Sequence, residues 1–191
     1  MYYLDTDKSF HLAFYRDDNQ KAGYKDFKSI LEFCDKYFVI KPTKMITYGL
    51  VDREIEGFLD KWVEKNIDKQ KYYVILRNEE KDFSFDFTQS ELSTHINIYF
   101  PLKNVRKEDA SNLVNLFLHI VSMFEPEWAI AHPNKHWDYL LEKIYTANER
   151  KIPLRGLYWL NYLGPKTFES QGGEALLENP YFTRTQRLNE G

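Results

Sequence analysis

The residues of this 191-residue chain that could do chemistry begin with its five histidines. His132 and His136 stand four positions apart, the spacing at which two side chains share one helical face and can bind a metal ion. Pro133 lies between them and is expected to begin the helix, so His132 is predicted to fall in the preceding loop. The glutamate of the zinc-protease pattern is missing beside His132. We therefore predict no metal site and no cofactor.

The other candidate residues have structural interpretations as well. His119 lies on the polar side of a predicted helix, and His11 and His95 lie on the less apolar sides of two predicted strands, where they could be neighbours. Cys34 falls on the apolar face of a helix, where a small buried hydrophobic residue is commoner than a nucleophile. Because the sequence also contains no phosphate-binding glycine loop and no nucleophile elbow, it predicts a protein that is not an enzyme.

A regular run of acidic residues is the strongest charge pattern in the chain. These residues recur every fourth position from the start of a segment predicted to be a helix, residues 52–67, and would form one acidic ridge: Asp52, Glu56, Asp60, Glu64 and Asp68. Such a ridge is commonly a solvated face. Alternatively, it is a surface that docks a basic partner, since complementary charge accelerates association. Glu79 and Glu80, in a predicted turn, form a second small acidic site.

Aromatic residues are unusually frequent, and net charge is low. The chain has 14 Tyr, 14 Phe and 4 Trp, which excludes an intrinsically disordered protein. A net charge of −3 is unlike that of a general nucleic-acid binder, so direct contact with nucleic acid is not expected. So many aromatic residues exceed the needs of one core, and Tyr and Trp at a surface favour protein contacts. We therefore expect a protein partner.

The sequence also indicates the compartment. A single cysteine allows no internal disulfide, which suits a reducing cytosol. The N-terminal residues lack the basic and apolar regions of a signal peptide. The longest apolar stretch, residues 113–124, is interrupted by polar side chains and is shorter than the ~20 residues that a membrane span needs. We expect a cytoplasmic protein without membrane contact.

Hydrophobic periodicity predicts an α+β fold, with a mostly antiparallel sheet and about four helices packed on it, in a single domain over residues 1–191. Alternating or apolar runs predict strands at residues 10–15, 43–50, 72–76, 83–87, 95–100, 128–131 and 157–163. Helical spacing predicts helices at residues 24–38, 52–67, 108–124 and 135–148. Residues 165–191 are expected to form an irregular tail with one short helix near residues 174–178.

One segment carries a family resemblance. Residues 152–164, IPLRGLYWLNYLG, look like the hallmark of bacterial immunity proteins of polymorphic toxin systems, and the chain resembles the Immunity protein 52 family. Upstream, residues 124–129 are similar to the proline–tryptophan element of that family, which precedes the helix leading to the hallmark strand. The matching positions are Pro126, Trp128, Gly156, Trp159, Asn161, Tyr162 and Gly164.

The resemblance implies a cytosolic α+β protein that binds a cognate secreted toxin, often a predicted nuclease, and neutralises it in competition between bacteria. The matching positions would be fold markers, with Trp159 and Tyr162 anchoring the hallmark strand and Gly156 and Gly164 bounding it. Fewer residues follow this strand than the family pattern leads us to expect. Two alternatives remain open from the residues themselves: a regulatory module that binds a small molecule or peptide in an aromatic pocket, and an unrecognised hydrolase built on histidines.

Overall fold

The structure is a computed structural model, and it describes residues 9–17, 24–47, 51–54, 72–90, 93–101, 109–133, 160–178 and 187–188. Within these ranges the chain forms eight strands and four helices. The strands are β1 (Ser9–Arg16), β2 (Lys44–Thr47), β3 (Val51–Glu54), β4 (Tyr72–Asn78), β5 (Phe83–Gln89), β6 (Thr94–Pro101), β7 (Trp128–Pro133) and β8 (Leu160–Leu163). The helices are α1 (Tyr24–Phe38), α2 (Ala110–Phe124), α3 (Pro165–Ser170) and α4 (Glu174–Leu177).

All the described strands join one antiparallel sheet in the order β3-β2-β4-β5-β6-β1-β7-β8. Strands β4, β5 and β6 follow one another in both sequence and space, as an antiparallel meander does. Strand β1 lies between β6 and β7, so the first strand described is an interior strand of the sheet. The predicted α+β class with an antiparallel sheet is therefore confirmed.

One face of the sheet is apolar and packs against α1 and α2. Because side chains alternate along a strand, Phe10, Leu12 and Phe14 of β1 lie on this core face and are buried. The ring of Phe27 in α1 contacts Phe85 edge-on, with 5.1 Å between ring centroids. Full burial of each such side chain stabilises the fold by roughly 1.5–3 kcal/mol. Burial of the apolar residues on this face therefore places the residues between them in each strand on the opposite face of the sheet.

The two longer helices arise from different apolar patterns. Helix α1 buries Phe27, Ile30 and Cys34 at helical spacing, as the sequence predicts, and burial raises the pKa of the Cys34 thiol to about 12. Helix α2 buries a broader face made of Leu113, Leu116, Phe117, Ile120, Val121 and Phe124. None of the helices in the described ranges has the length and apolar composition needed to cross a membrane.

A buried arginine fastens the C-terminal end of α2 to β1. Nη1 of Arg16 donates to the carbonyl oxygen of Phe124 at 2.8 Å, and its guanidinium carbon lies 4.3 Å from the centre of the Phe124 ring. The next residue, Glu125, has φ 46°, and its amide donates to the Val121 oxygen at 2.9 Å. This left-handed residue ends the helix and turns the chain into β7.

Three predicted segments, residues 52–67, 135–148 and 165–191, are described only in part or not at all. The predicted helix over residues 52–67 is wrong at its start, because residues 51–54 form β3 and pair with β2, with Lys44 opposite Glu54. Val51–Glu54 contains one apolar and three charged residues, so no local alternation predicts this strand, which forms by pairing with β2. The rest of that helix and the predicted helix at residues 135–148 lie outside the described residues. Residues 165–191 are predicted to be irregular apart from one short helix near residues 174–178. Helix α4 matches that helix, whereas α3 is not predicted and begins at Pro165, because proline suits the first turn of a helix.

The described parts of the two sequence elements that carry the family resemblance, residues 124–129 and 160–164, include neighbouring strands. In the β7–β8 ladder, Trp128 lies opposite Leu163 and Ala129 lies opposite Tyr162. The amide of Gly164 continues the pairing by donating to the Glu127 oxygen at 2.8 Å. A Cβ atom at Gly164 would lie 2.8 Å from the Pro126 carbonyl oxygen, closer than real Cβ contacts. Glycine is therefore required where the end of β8 meets the bend before β7.

We predict that Gly164→Ala lowers the free energy of unfolding by about 1–3 kcal/mol, because backbone atoms must move to admit the methyl group. Chemical denaturation measures this loss, and amide hydrogen exchange in Leu160–Leu163 should accelerate because the β7–β8 ladder loosens.

Gly172→Ala is the comparison variant for this test. Gly172 has open space around it but a φ of 114°, so alanine there causes backbone strain without a clash. It should destabilise the protein without accelerating exchange in β8. Unchanged stability and unchanged β8 exchange in Gly164→Ala would contradict the close approach described above.

Candidate functional site

The sheet face opposite the core, the polar face, carries the densest group of reactive side chains in the described residues. Its members follow the alternation of β4, β5, β6, β1 and β7 and come together through strand register. They are Tyr73, Arg77, Ser84, Asp86, Thr88, His95, Asn97, Tyr99, His11, Tyr15, Trp128 and His132. Most are only partly buried.

A straight row of five residues crosses the sheet through this face. Arg77 lies opposite Ser84, Ser84 opposite Tyr99, Tyr99 opposite His11, and His11 opposite His132. The His11 and Tyr99 rings stack with centroids 4.4 Å apart and an angle of 5° between planes. The His132 ring meets His11 edge-on at 5.4 Å. The three rings of this row, Tyr99, His11 and His132, are therefore in continuous contact across three interior strands.

His11 is held in its neutral form. The imidazole is fully buried, and this burial, followed by the charge of neighbouring His132, lowers the pKa of His11 to about 3. Nε2 of His11 donates to Oδ1 of Asn97 at 3.1 Å, which opposes the shift but does not reverse it. His11 consequently serves as an uncharged hydrogen-bonding and stacking group at neutral pH.

His132 corrects a prediction. It was expected in a loop, but it lies in β7 and is only 4% exposed. The sequence predicts that Pro133 begins a helix, whereas Pro133 is the last residue of strand β7. His136, the other half of the four-residue pair, lies outside the described residues. His11 and His95 share the polar face, as predicted, but they face different partners, Tyr99 and Tyr15.

Asp86 is the carboxylate of the polar face. It lies in β5 opposite Asn97 of β6, and the hydroxyl of Ser84 donates to Oδ1 of Asp86 at 2.5 Å. Burial raises the pKa of Asp86 to about 6, and this effect outweighs the Ser84 hydrogen bond and the charge of Arg77, both of which lower it. The carboxylate is thus ionised at neutral pH but is poorly compensated.

Tyrosines from the flanking strands face Asp86. Burial, and next the Asp86 charge, raise the pKa values of Tyr73 in β4 and Tyr99 in β6 above the ordinary value. Both rings are partly exposed. Asp86 therefore lies in a frame of phenol groups that are protonated at any physiological pH.

A second row of rings, the aromatic band, crosses the polar face and consists of His95, Tyr15 and Trp128. The Tyr15 ring lies 4.8 Å from His95 in an edge contact and stacks on Trp128 at 5.5 Å. Burial lowers the pKa of His95, so that imidazole is largely neutral as well. Burial and then the charge of Asp17 raise the pKa of Tyr15. The band offers partly exposed Tyr, Trp and His rings, the residue types that dominate binding hot spots.

The predicted acidic sites are only partly described. Glu79 lies in the β4–β5 turn and forms an ion pair with Lys44, with Nζ and Oε2 2.9 Å apart, while Glu80 beside it is exposed. Asp52 lies on strand β3 rather than on a helix, which corrects its predicted setting. The other ridge members, Glu56, Asp60, Glu64 and Asp68, lie outside the described residues.

The β4–β5 turn is well anchored. Nδ2 of Asn78 donates to the Lys41 oxygen at 2.7 Å, and Oδ1 of Asn78 accepts from the Lys81 amide at 3.0 Å. Asp82 has φ 48°, a conformation that Asp and Asn tolerate better than most residues. Glu80 is therefore presented from a fixed turn at one end of the polar face.

Five positions of the family resemblance lie in the described residues: Pro126, Trp128, Asn161, Tyr162 and Gly164. Pro126 is buried at the bend after α2, and Tyr162 packs against the core cluster from β8. Asn161 lies opposite Ile130. Trp128 also belongs to the aromatic band of the polar face. Gly156 and Trp159 lie outside the described residues.

A serine and a histidine meet between α1 and α2. Oγ of Ser29 and Nε2 of His119 are 2.9 Å apart, and the His119 ring stacks on Phe33 at 5.3 Å. A hydrolase would also need an acid to orient the imidazole. Among the described residues no carboxylate bonds His119, and the Ser29–His119 contact ties the two helices together.

Sequence reasoning missed the polar face as a unit. The alternation of β5 and β6 places Asp86 and Asn97 on the face that does not carry the phenylalanine and isoleucine residues. This alternation was the one local sign that a polar face exists. The register that aligns His11 with His132 joins segments far apart in the chain, and no local pattern encodes it.

Comparisons with known proteins give a match of fold only. The structure is similar to the T6SS (type VI secretion system) protein PA0821 of Pseudomonas aeruginosa, with a TM-score of 0.64, 12% sequence identity, and coverage of 88% of this chain. The match spans 61% of that protein, so this chain corresponds to about three fifths of its length. No protein-family model matches the sequence, and no curated protein matches it. The resemblance to the Immunity protein 52 family therefore stays a prediction.

The polar face makes a prediction about pH. Acidification from pH 6 to pH 4 protonates Asp86 in the folded protein, which stabilises it because this pKa is raised. Over the same range the unfolded chain takes up a proton at His11, which destabilises the fold because the folded pKa is lowered to about 3. The two effects oppose each other in the wild type. Asp86→Asn removes the Asp86 effect and leaves the effects of the buried histidines His11 and His95, so its unfolding free energy should fall by up to about 1.4 kcal/mol more per pH unit than that of the wild type.

Urea denaturation at pH 6, 5 and 4 measures this difference. Glu32→Gln, which removes an exposed carboxylate from α1, is the control and should follow the wild-type curve. If Asp86→Asn and the wild type lost stability in parallel on acidification, the assigned burial of Asp86 would be wrong.

Proposed function

We propose that this chain is an immunity protein that binds a cognate secreted bacterial toxin and neutralises it by protein–protein contact. The observation that carries the proposal is the shared fold with a protein of a bacterial secretion system, which fits a role in bacterial competition. The family resemblance supplies the finer part, a cytosolic inhibitor and a toxin partner. The described parts of its two elements pair as neighbouring strands, which is the arrangement we expect of fold markers.

The polar face supports a protein partner. Interface cores are enriched in aromatic residues and depleted in charge. The partly exposed Tyr15, His95 and Trp128 fit this composition, in contrast to the phenylalanines and aliphatic residues of the core face. Neutralisation then requires only that the bound chain covers the working surface of the toxin. A nuclease is the toxin class we favour, because the exposed acidic turn at Glu80 complements a surface built to bind nucleic acid.

Co-expression tests this function. The gene encoded next to that of this chain should specify a protein that stops bacterial growth when expressed alone, and co-expression of this chain should restore growth. The two proteins should co-purify with a defined stoichiometry. A destabilised variant such as Gly164→Ala, expressed to a lower level, should rescue less well.

Failure to bind and failure to rescue, with well-folded protein present in the cells, would disprove the immunity proposal. Purified chain that instead carried a bound small molecule would favour the regulatory-module alternative.

The acidic turn makes a separate kinetic prediction. Because Glu80 is exposed at the end of the polar face, Glu80→Lys should slow association with the toxin by roughly 2–10-fold at low salt and should weaken the salt dependence. Glu32→Lys on α1 changes the charge equally on the opposite side of the sheet and should have a smaller effect. Stopped-flow or surface-plasmon measurements distinguish them, and equal association rates for both variants would exclude the turn from the docking surface.

A further inference from the structure

The surroundings of Asp86 leave its negative charge incompletely compensated. Within the described part of the chain, its one hydrogen-bond donor is the hydroxyl of Ser84. Arg77 faces it diagonally from β4 and acts through its charge. A carboxylate that is partly removed from water normally accepts several donors or pairs with a cation. Asp86 therefore has capacity for a further strong donor on its partly exposed side.

The rings around Asp86 favour a cation as that donor. Tyr73 and Tyr99 stand on the two strands flanking β5, and the charge of Asp86 influences both phenols. Aromatic faces attract guanidinium and ammonium groups, and a carboxylate at the centre of such a frame adds a charge-assisted hydrogen bond. Anionic ligands would be repelled by Asp86, and apolar ones would bury the carboxylate without a partner.

We propose that Asp86 and the tyrosines beside it receive a basic side chain, an arginine or a lysine, from the toxin that this protein neutralises. This inference rests on the proposed function and specifies the chemistry of the contact. This contact at Asp86 differs from a contact at the acidic turn, where Glu79 already pairs with Lys44. The exposed charge of the turn mainly accelerates association, whereas an ion pair enclosed by rings on the sheet face slows dissociation.

The pH dependence of binding follows from the groups that face Asp86. These are Tyr73 and Arg77 from β4, Ser84 and Thr88 from its own strand, and His95, Asn97 and Tyr99 from β6. Asp86 and His95 are the groups among these that change charge on acidification; burial lowers the pKa of His95, and Asp86→Asn separates the two contributions. Protonation of Asp86 removes the acceptor, so affinity should fall below about pH 6 by as much as tenfold per pH unit.

The experiment compares wild type, Asp86→Asn and Glu32→Gln for affinity towards the protein encoded by the neighbouring gene. Asparagine preserves size and the acceptor for Ser84, so the fold is retained, and circular dichroism confirms it. Asp86→Asn should bind at least about 30-fold more weakly, mainly through faster dissociation, and should lose the decline below pH 6. Glu32→Gln should bind as the wild type does. Undiminished affinity of Asp86→Asn would overturn the proposal.

If the protein encoded by the neighbouring gene does not bind at all, the proposed function is refuted. A second measurement then tests the cation site by itself. Ethylguanidinium is titrated into the free protein while the carboxyl carbon signal of Asp86 is followed by NMR. A saturable shift that moves the Asp86 titration to lower pH, and is absent with tetramethylurea as a neutral probe, supports a cation site. No shift up to high millimolar ethylguanidinium would refute the site itself.

Discussion

The antiparallel register of β1 with β6 and β7 is the constraint on which the rest of the structure depends. Because side chains alternate along strands, a slip of one residue would exchange the two faces of β1. In the observed register Leu12 is fully buried against the helices, while His11 joins the polar row with Tyr99 and His132. Burial of the apolar side therefore determines which polar groups meet on the other side.

The polar face is costly to the fold, since it places ionisable groups on interior strands. His11 is kept neutral and Asp86 is kept poorly solvated, and their pKa values move in opposite directions for the same reason, removal from water. A sheet selected for stability alone would carry apolar or neutral residues at such positions. Groups of this kind on one partly accessible face are typical of a surface kept for recognition.

Periodicity was sufficient to predict α1, α2 and the meander β4–β6, because their apolar residues follow a single helical or strand period. It failed at β3, because Val51–Glu54 has no apolar alternation and becomes a strand only by pairing with β2. The candidate site could be predicted only as separate residues. The alignment of His11 with His132, and of Asp86 with Asn97, depends on long-range pairing, and the insertion of β1 between β6 and β7 has no local signal.

The central claim is that the polar face is the surface on which the partner docks. Its most direct test is aromatic-ring NMR of the free and partner-bound protein, with the protein encoded by the neighbouring gene as the partner. We expect the ring signals of Tyr15, Tyr73 and Tyr99 to change their chemical shifts and to become less accessible to solvent on binding. The ring signals of Phe33 and Tyr37 in α1 should stay unchanged. Shifts confined to Phe33 and Tyr37, on the helical side of the sheet, would contradict it.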